Sequence, residues 1–214
     1  MIKGGENLLQ HAVAKTLLYR IPMYLEYLMD IHENEPSLSY ISSKKISTDL
    51  ELGEVQVRKD LSRVCNKGKP KIGYNVLELI THLQDYLGCN QIQYAIVIGV
   101  GKLGSAIYHY DGFKKYGIEI VAGYDKKDND IPNIQFFSKE NVMKVFQTHR
   151  IEIGIICVPK EEAQEVADVL VSLGIKAIWN FAPIRLKVPK HIFVQNENLA
   201  YSLSIISSII NHSQ

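Results

Sequence analysis

The sequence predicts an α/β protein made of two parts, a small helical domain at the N-terminus and a larger domain built on a parallel β-sheet. Short helical patterns fill the chain up to about residue 88, and strands alternate with helices from there to about residue 194. A glycine-rich turn, Gly99-Val-Gly101-Lys-Leu-Gly104, follows an apolar strand in the middle of the chain rather than at its start. We therefore expect domains over residues 1–88 and 89–194, and a separate C-terminal helix over 195–214.

Helical spacing of apolar residues begins near Tyr19 and continues to Ile31. Pro22 is tolerated only near the start of a helix, which places that start close by. Ser42-Ser43 can cap a second helix that runs from Lys44 to about Leu50. A third is expected from Glu54 to about Val64, with Val55, Leu61 and Val64 facing inward, and a fourth from Val76 to Leu87.

Two short helices around a tight turn, as expected over residues 44–64, form a helix-turn-helix. Gly68, Pro70 and Gly73 then break the chain in a way that suits a β-hairpin, or wing. The N-terminal part is therefore predicted to be a winged helix-turn-helix domain.

The second part is predicted to be a Rossmann-type parallel sheet made of βαβ units. Strands are expected at 92–98, 118–124, 134–137, 151–158, 175–181 and 191–194, and helices at 101–110, 139–148 and 161–173. A last helix opens with Asn196-Glu-Asn198 and continues to Ile210. Its apolar residues cover too much of its circumference for a surface helix, so we expect it to be buried in a partner subunit.

The glycine turn fits a dinucleotide site, because residues without Cβ let a pyrophosphate approach the first turn of the following helix. Asp125 follows Gly104 by 21 residues, close to the spacing of the carboxylate that binds the adenosine ribose. The alternative is a structural turn with a surface aspartate. An acid at Asp125 favours NAD over NADP, although Lys126 and Lys127 either soften that choice or belong to a solvated loop.

Net charge is +1, yet residues 58–71 carry six basic side chains and one acidic one. Such a run is either a solvated face or the footprint of nucleic-acid binding. In the second interpretation the third helix enters the major groove and the wing follows the minor groove. The candidate DNA-binding residues are Gln56, Arg58, Lys59 and Arg63 on the helix, and Lys67, Lys69 and Lys71 on the wing.

Catalytic and metal chemistry find little support in the sequence. The three cysteines, Cys65, Cys89 and Cys157, form no C-x-x-C pair, and the seven histidines are scattered, so we expect no metal site and no enzyme. Tyr110-x-x-x-Lys114 straddles Gly112, a helix terminator, and is interpreted as accidental. We also expect a cytoplasmic protein with no leader and no membrane partner, because no stretch of 18 apolar residues occurs.

Taken together, the chain from about residue 20 to 210 resembles the Rex family of bacterial redox-sensing transcriptional repressors. The matching segments are Ser42-Ser-Lys, Gln56-Val-Arg-Lys-Asp-Leu-Ser62, Gly73-Tyr-Asn-Val76, Ile98-Gly-Val-Gly-Lys-Leu-Gly104, Tyr110-Asp-Gly-Phe113, Cys157-Val-Pro159, Asn180-Phe-Ala-Pro183 and Val188-Pro189. The resemblance implies a homodimer with a swapped C-terminal helix that binds operator DNA. It also implies NAD(H) as a regulatory ligand, with NADH releasing the DNA.

The resemblance assigns roles to individual positions. Cofactor contacts would come from Gly99, Gly101, Lys102, Leu103, Gly104 and Asp125, the edge of the nicotinamide pocket from Pro159, Asn180, Phe181, Ala182 and Pro183, and the redox-dependent hydrogen bond from Tyr110. Ser43 and Lys44 join the DNA-binding residues named above.

Several departures from the family pattern touch the switch. A charge pair that some members form between the first and last helices would fall on Glu26 and Asn198, and an aromatic that closes over the partner's nicotinamide would fall on Leu199. The wing lacks the usual Arg-Gly tip. We therefore expect a weakened redox response. Two rivals stay open: an oxidoreductase with a helical oligomerisation domain, and a regulator that binds coenzyme A.

Overall fold

A computed structural model describes residues 5–126 and 134–212, with side chains from residue 16 onward. Lys127 lies outside the described residues. The chain divides into two compact units between Gln91 and Ile92.

The N-terminal unit contains four helices and two short strands. In chain order these are α1 (Gly5–Asn34), β1 (Tyr40–Ile41), α2 (Ser43–Asp49), α3 (Glu54–Val64), β2 (Tyr74–Asn75) and α4 (Val76–Leu87). The predicted bounds of α3 and α4 are confirmed, and the Ser42 side chain caps α2 by accepting a hydrogen bond from the Lys45 amide. Strands β1 and β2 pair antiparallel, which closes the winged helix-turn-helix.

The predicted start of the first helix is wrong, because α1 begins at Gly5 and Pro22 lies inside it. Pro22 has no N–H to donate to the Leu18 carbonyl, and the loss of this intrahelical hydrogen bond destabilises a helix. Packing compensates here, since Ile21, Tyr24 and Leu25 on either side of the proline are fully buried. Tertiary burial therefore overrides a local signal.

The inward face of α3 also differs from the prediction. Val55 is 55% exposed, whereas Val57, Asp60 and Leu61 are completely buried. Positions 57, 60 and 61 have the i, i+3, i+4 spacing of one helix face, so an acidic residue lies within the core stripe. The sequence-based choice of apolar residues alone passed over it.

The buried Asp60 carboxylate joins α1 to α3. Its Oδ2 accepts hydrogen bonds from Arg20 Nε at 2.7 Å and from the Tyr24 hydroxyl at 2.9 Å, and its Oδ1 accepts from Arg20 Nη2 at 3.1 Å and Gln56 Nε2 at 2.7 Å. Burial raises the pKa of Asp60, and these hydrogen bonds lower it by more, so the pKa lies below its usual value. Burial and the bond to Asp60 raise the pKa of Tyr24 to about 12.

The C-terminal unit is a six-stranded parallel sheet flanked by helices. Its elements are β3 (Gln93–Ile98), α5 (Lys102–Tyr108), a 3₁₀ turn (Asp111–Tyr116), β4 (Ile118–Asp125), β5 (Ile134–Phe136), α6 (Lys139–Thr148), β6 (Ile151–Ile156), α7 (Lys160–Ser172), β7 (Ala177–Asn180), β8 (Phe193–Asn196) and α8 (Leu199–His212). The strand order β5-β4-β3-β6-β7-β8 is that of a Rossmann-type domain. All six predicted strands are confirmed, and no strand end differs from its predicted position by more than two residues.

Two hydrophobic clusters fill the faces of this sheet. One contains Ile96, Tyr124 and Leu170 together with other residues from α6 and α7, and the second contains Ala95, Val97 and Ile107 beneath α5. The sheet order changes direction at β3, which pairs with β4 on one side and β6 on the other. A ligand crevice is expected at the carboxyl ends of these strands.

The Asp60 network predicts an acid-sensitive N-terminal unit. Asp60→Asn should lower its free energy of unfolding by about 3 kcal/mol at neutral pH, because the Arg20 guanidinium loses its buried counter-charge. The Asp60 pKa is lower in the folded than in the unfolded chain, so the carboxylate stabilises the fold at pH above 3.8, its ordinary pKa. The advantage over the variant should shrink as the pH falls below that value.

Urea unfolding followed by circular dichroism at pH 7 and pH 3 measures this difference. Asp49→Asn is the control, because Asp49 accepts its hydrogen bonds from Lys45 and Tyr27 at the exposed surface and should matter much less. Equal losses in the two variants would contradict the role given to the buried carboxylate.

Candidate functional site

The glycine-rich turn between β3 and α5 has three glycines in three different surroundings. Gly99 has φ +90°, and a Cβ there would come within 2.7 Å of the Cys157 backbone. At Gly104 a Cβ would lie 1.9 Å from the Gly99 carbonyl oxygen, whereas at Gly101 it would meet nothing within 4 Å. Gly99 and Gly104 are therefore required by the fold itself, and Gly101 leaves open space at the N-terminal end of α5.

A cavity of about 350 Å³ opens beside this turn, at the carboxyl ends of β3, β4 and β6. Its lining comprises Ile98, Gly99, Gly101, Asp125, Lys126, Phe137, Cys157, Val158, Pro159, Glu162 and Val166. Asp125, at the end of β4, is fixed by accepting a hydrogen bond from the Val100 amide to its Oδ2 at 2.7 Å. The sequence-predicted Gly99, Gly101, Asp125 and Pro159 thus come together around one crevice.

Sequence reasoning missed part of this lining. Glu162 comes from the first turn of α7, and Lys126 Nζ lies 3.6 Å from its Oε2 and 3.4 Å from Oε2 of Glu165. No local pattern marks these glutamates, since an acidic first turn is common in helices. Burial raises the pKa of the Cys157 thiol to about 12, so this cysteine is an uncharged part of the wall.

Other predicted cofactor residues lie away from this lining. Lys102 and Leu103 are exposed in the first turn of α5, and Gly104 is buried beneath them. Tyr110 is 58% exposed and places its ring against Phe113, with 4.9 Å between centroids. Its assignment as the redox-sensing residue stays a prediction.

Asn180 is completely buried and uses its side chain to shape the loop that follows β7. Its Nδ2 donates to the carbonyl oxygens of Ala182 and Ile184 and to Oδ1 of Asn196, and its Oδ1 accepts from the Ala182 amide. Asn180 therefore holds the loop in place. Ala182 and Pro183 line a second, more polar cavity of about 290 Å³, together with Arg185, Glu197 and Tyr201 among others.

Basic side chains are exposed along α3 of the N-terminal unit. Arg58, Lys59 and Arg63 all point to solvent, as does Lys44 on α2, while Ser43 is half-buried. Gln56 is exposed too, but its Nε2 donates to Asp60. Since a carboxylate only accepts hydrogen bonds, this contact fixes which end of the amide faces the core.

The wing after α3 is a short hairpin turn with basic residues. Lys69 and Gly73 exchange backbone hydrogen bonds of 2.8 Å, and the Ile72 amide donates to the Lys69 carbonyl. Pro70 and Lys71 occupy the central positions, and Lys71 has φ +65°, which is typical of glycine in a type II turn. Lys69 Nζ lies 5.3 Å from the centre of the Tyr40 ring, and Lys67 and Lys71 are exposed.

Within the described residues of the C-terminal unit, α8 and one face of the sheet carry exposed apolar surfaces. No residue of α8 is buried, and Leu199, Leu203, Ile206 and Ile210 are each more than half exposed. On the sheet, an apolar groove of about 310 Å³ is lined by Phe113, Ile118, Ile153, Ile155, Ala177, Ile178, Trp179, Phe193 and Gln195.

In the part of the chain that the structure describes, no three His, Cys, Asp or Glu side chains gather as metal ligands would. No helix there is long and apolar enough to span a membrane. The histidines whose side chains are described are all exposed or half-buried, and the His11 side chain lies outside the description.

In a comparison with known protein families, a different family model matches each unit. The model described as "CoA binding domain" matches residues 90–184. The model described as "Putative DNA-binding protein N-terminus" matches residues 12–62.

Whole-length relatives are more specific. The redox-sensing transcriptional repressor Rex of Treponema denticola is 38% identical over 94% of this chain and 97% of its own length, and that of Clostridium beijerinckii is 35% identical over the same shares. The crystal structure of RSP in complex with β-NAD⁺ and operator DNA matches with a TM-score of 0.83 and 36% identity over 93% of each chain. The crystal structure of RSP in complex with β-NADH matches with a TM-score of 0.79 and 37% identity, over 92% of this chain and 94% of that chain. Similarity of this extent across both units means that the chain belongs to the Rex family of redox-sensing transcriptional repressors.

Proposed function

We propose that this protein is a DNA-binding repressor whose hold on operator DNA responds to NAD(H), which it binds as a ligand and does not turn over. The observation that carries the proposal is the crevice beside Gly101. The space next to the Gly101 backbone is empty, which suits a pyrophosphate. Asp125 lies in the same lining, where it can accept hydrogen bonds from the adenosine ribose. The relatives named above are repressors, and the similar protein RSP was crystallised with β-NAD⁺ and operator DNA.

The DNA side of the proposal rests on the exposed basic face of α3. Arg58 is placed to read a guanine or hold a phosphate, and Lys59 and Arg63 add positive charge on the same helix. For Gln56, one amide N–H is held by Asp60, so the second N–H and the carbonyl oxygen form the pair that reads adenine. The wing lysines follow the backbone or the minor groove, with less base preference than arginine gives.

A ligand changes DNA affinity only by its different affinity for the two protein states. Reduced and oxidised nicotinamide differ by a hydride and one positive charge, so the difference read by the protein is small. By the family resemblance, Glu26 and Asn198 stand where some members form a charge pair, and Asn198 accepts a hydrogen bond from the Ala200 amide at the start of α8. We therefore propose a weak switch.

Coenzyme A is the second candidate ligand, favoured by the family model that matches residues 90–184. Equilibrium binding of NADH, NADPH and coenzyme A side by side separates the two. The oxidoreductase alternative has no such support, because the full-length relatives are named as transcriptional repressors. Because it belongs to a bacterial family of DNA-binding regulators, we infer that the protein acts in the cytoplasm.

We further propose a homodimer in which α8 of one copy packs onto its partner. The exposed leucine and isoleucine side chains of α8 form a contiguous apolar surface, which in a soluble protein marks an interface. The groove between Phe113 and Phe193 on the sheet is the apolar surface that we assign to receive it.

Two glycine variants test the nucleotide site. Gly101→Ala should leave the fold intact, since its Cβ meets open space, but should weaken NADH binding at least tenfold by blocking the phosphates. Gly104→Ala should disrupt the C-terminal unit itself, because its Cβ would overlap the Gly99 carbonyl. Circular dichroism and NADH titration measure both effects. Unchanged NADH affinity in a folded Gly101→Ala protein would contradict the site.

Operator binding tests the function as a whole. A palindromic operator of the relatives, titrated at low ionic strength because phosphate contacts weaken in salt, should be bound by the wild type. NADH should weaken that binding less than tenfold, and NAD⁺ should not weaken it. Arg58→Ala should abolish DNA binding and keep NADH affinity, whereas Arg150→Ala, the same change in the second unit, should alter neither.

Failure to bind DNA under all nucleotide conditions would overturn the repressor function. A loss of tenfold or more with NADH alone would contradict only the weak switch.

Measuring the molar mass in solution tests the proposed dimer. The wild type should elute in light-scattering chromatography at twice the 24.3 kDa chain mass. Ile206→Asp should shift it to the monomer by placing a charge in the apolar interface, while Ser208→Asp, on the opposite face of α8, should not. A dimer that survives Ile206→Asp would contradict the assigned interface.

A further inference from the structure

Lys126 occupies a position where a lysine would ordinarily change coenzyme choice. It follows Asp125 directly and lines the same cavity. An ammonium group beside the adenosine ribose attracts a 2′-phosphate, the group that distinguishes NADPH from NADH. Asp125 alone would therefore have to oppose a neighbouring positive charge.

Two glutamates from α7 reach this lysine. Lys126 Nζ lies 3.4 Å from Oε2 of Glu165 and 3.6 Å from Oε2 of Glu162. The two glutamates are three residues apart, which places them on the same face of the helix. The lysine side chain is 40% exposed and that of Glu162 is 36% exposed, so these contacts are partly screened by water.

The described charged groups at this end of the cavity carry a net negative charge. Among the residues that the structure describes in this lining and its ion pairs, Asp125, Glu162 and Glu165 supply three carboxylates, and Lys126 supplies one ammonium. A 2′-phosphate would bring roughly two further negative charges. NADH, whose adenosine ribose carries only hydroxyls, can donate hydrogen bonds to the Asp125 carboxylate and brings no such added charge.

We propose that Glu162 and Glu165 are specificity-determining residues, which neutralise Lys126 and so make the site select an unphosphorylated adenosine ribose. The inference rests on the proposed NAD(H) function and extends it to a choice between coenzymes. The determinant lies on α7, far along the chain from the glycine motif and Asp125.

The test compares NADH and NADPH by equilibrium titration at low ionic strength, where screening is weakest. In Glu162→Gln/Glu165→Gln, the ratio of the NADPH to the NADH dissociation constant should fall about fivefold, the scale of one exposed ion pair. Adding Lys126→Gln to the double variant should restore the ratio to within about twofold of the wild type. The substituted side chains are at least partly exposed, and circular dichroism checks that each variant is folded.

Glu161→Gln is the matched control, because it removes the same charge from the same turn of α7. An unchanged ratio in the double variant would overturn the inference, as would an equal fall in Glu161→Gln or a fall that Lys126→Gln does not reverse. A wild type that binds neither nucleotide would overturn the proposed function, and this outcome is distinct from an unchanged ratio in a protein that binds NADH.

Discussion

The constraint on which the C-terminal unit depends is the position of β3 between β4 and β6. Right-handed crossovers from a central strand send α5 to one face of the sheet and α6 and α7 to the other. The connections that follow β3 and β6 therefore leave towards opposite faces of the sheet, and a crevice opens between them at the carboxyl end of β3. Gly99 turns the backbone out of β3 against Cys157, Asp125 arrives from β4, and α7 brings Glu162. Residues distant in sequence thus meet around one ligand-sized space.

Much of this arrangement could be predicted from local patterns. Alternating strands and helices, the capping serine of α2 and the glycine turn are short-range signals, and the elements that they predict are present. The long-range facts could not be predicted. Pro22 is held inside α1 by burial on both sides, and Asp60 is buried because Arg20 and Tyr24 meet it from 36 or more residues away. The same holds for Lys126 and the glutamates of α7.

The two proposed binding sites differ in charge, although both proposed ligands are anionic. The N-terminal unit exposes arginine and lysine along α3, which suits a polyanion bound at its phosphates. The C-terminal crevice, where we propose that the dinucleotide binds, instead offers backbone N–H groups and carboxylates, which suits recognition of hydroxyls near a phosphate. A net charge of +1 for the whole chain conceals this division. Composition alone is therefore a poor guide to the partners of a two-domain regulator.

The bond from Gln56 to Asp60 has a consequence for how operator preference can evolve. The hydrogen bond to Asp60 sets which end of the Gln56 amide faces outward, so under the proposed function it also sets the order of donor and acceptor that Gln56 shows to a base pair. Arg58 and Lys59, on the outer face of α3, carry no such tether to the core network. Under the proposed function, substitutions at Arg58 and Lys59 would therefore change base preference without disturbing the buried network, whereas a substitution at Gln56 would also remove a hydrogen bond to Asp60.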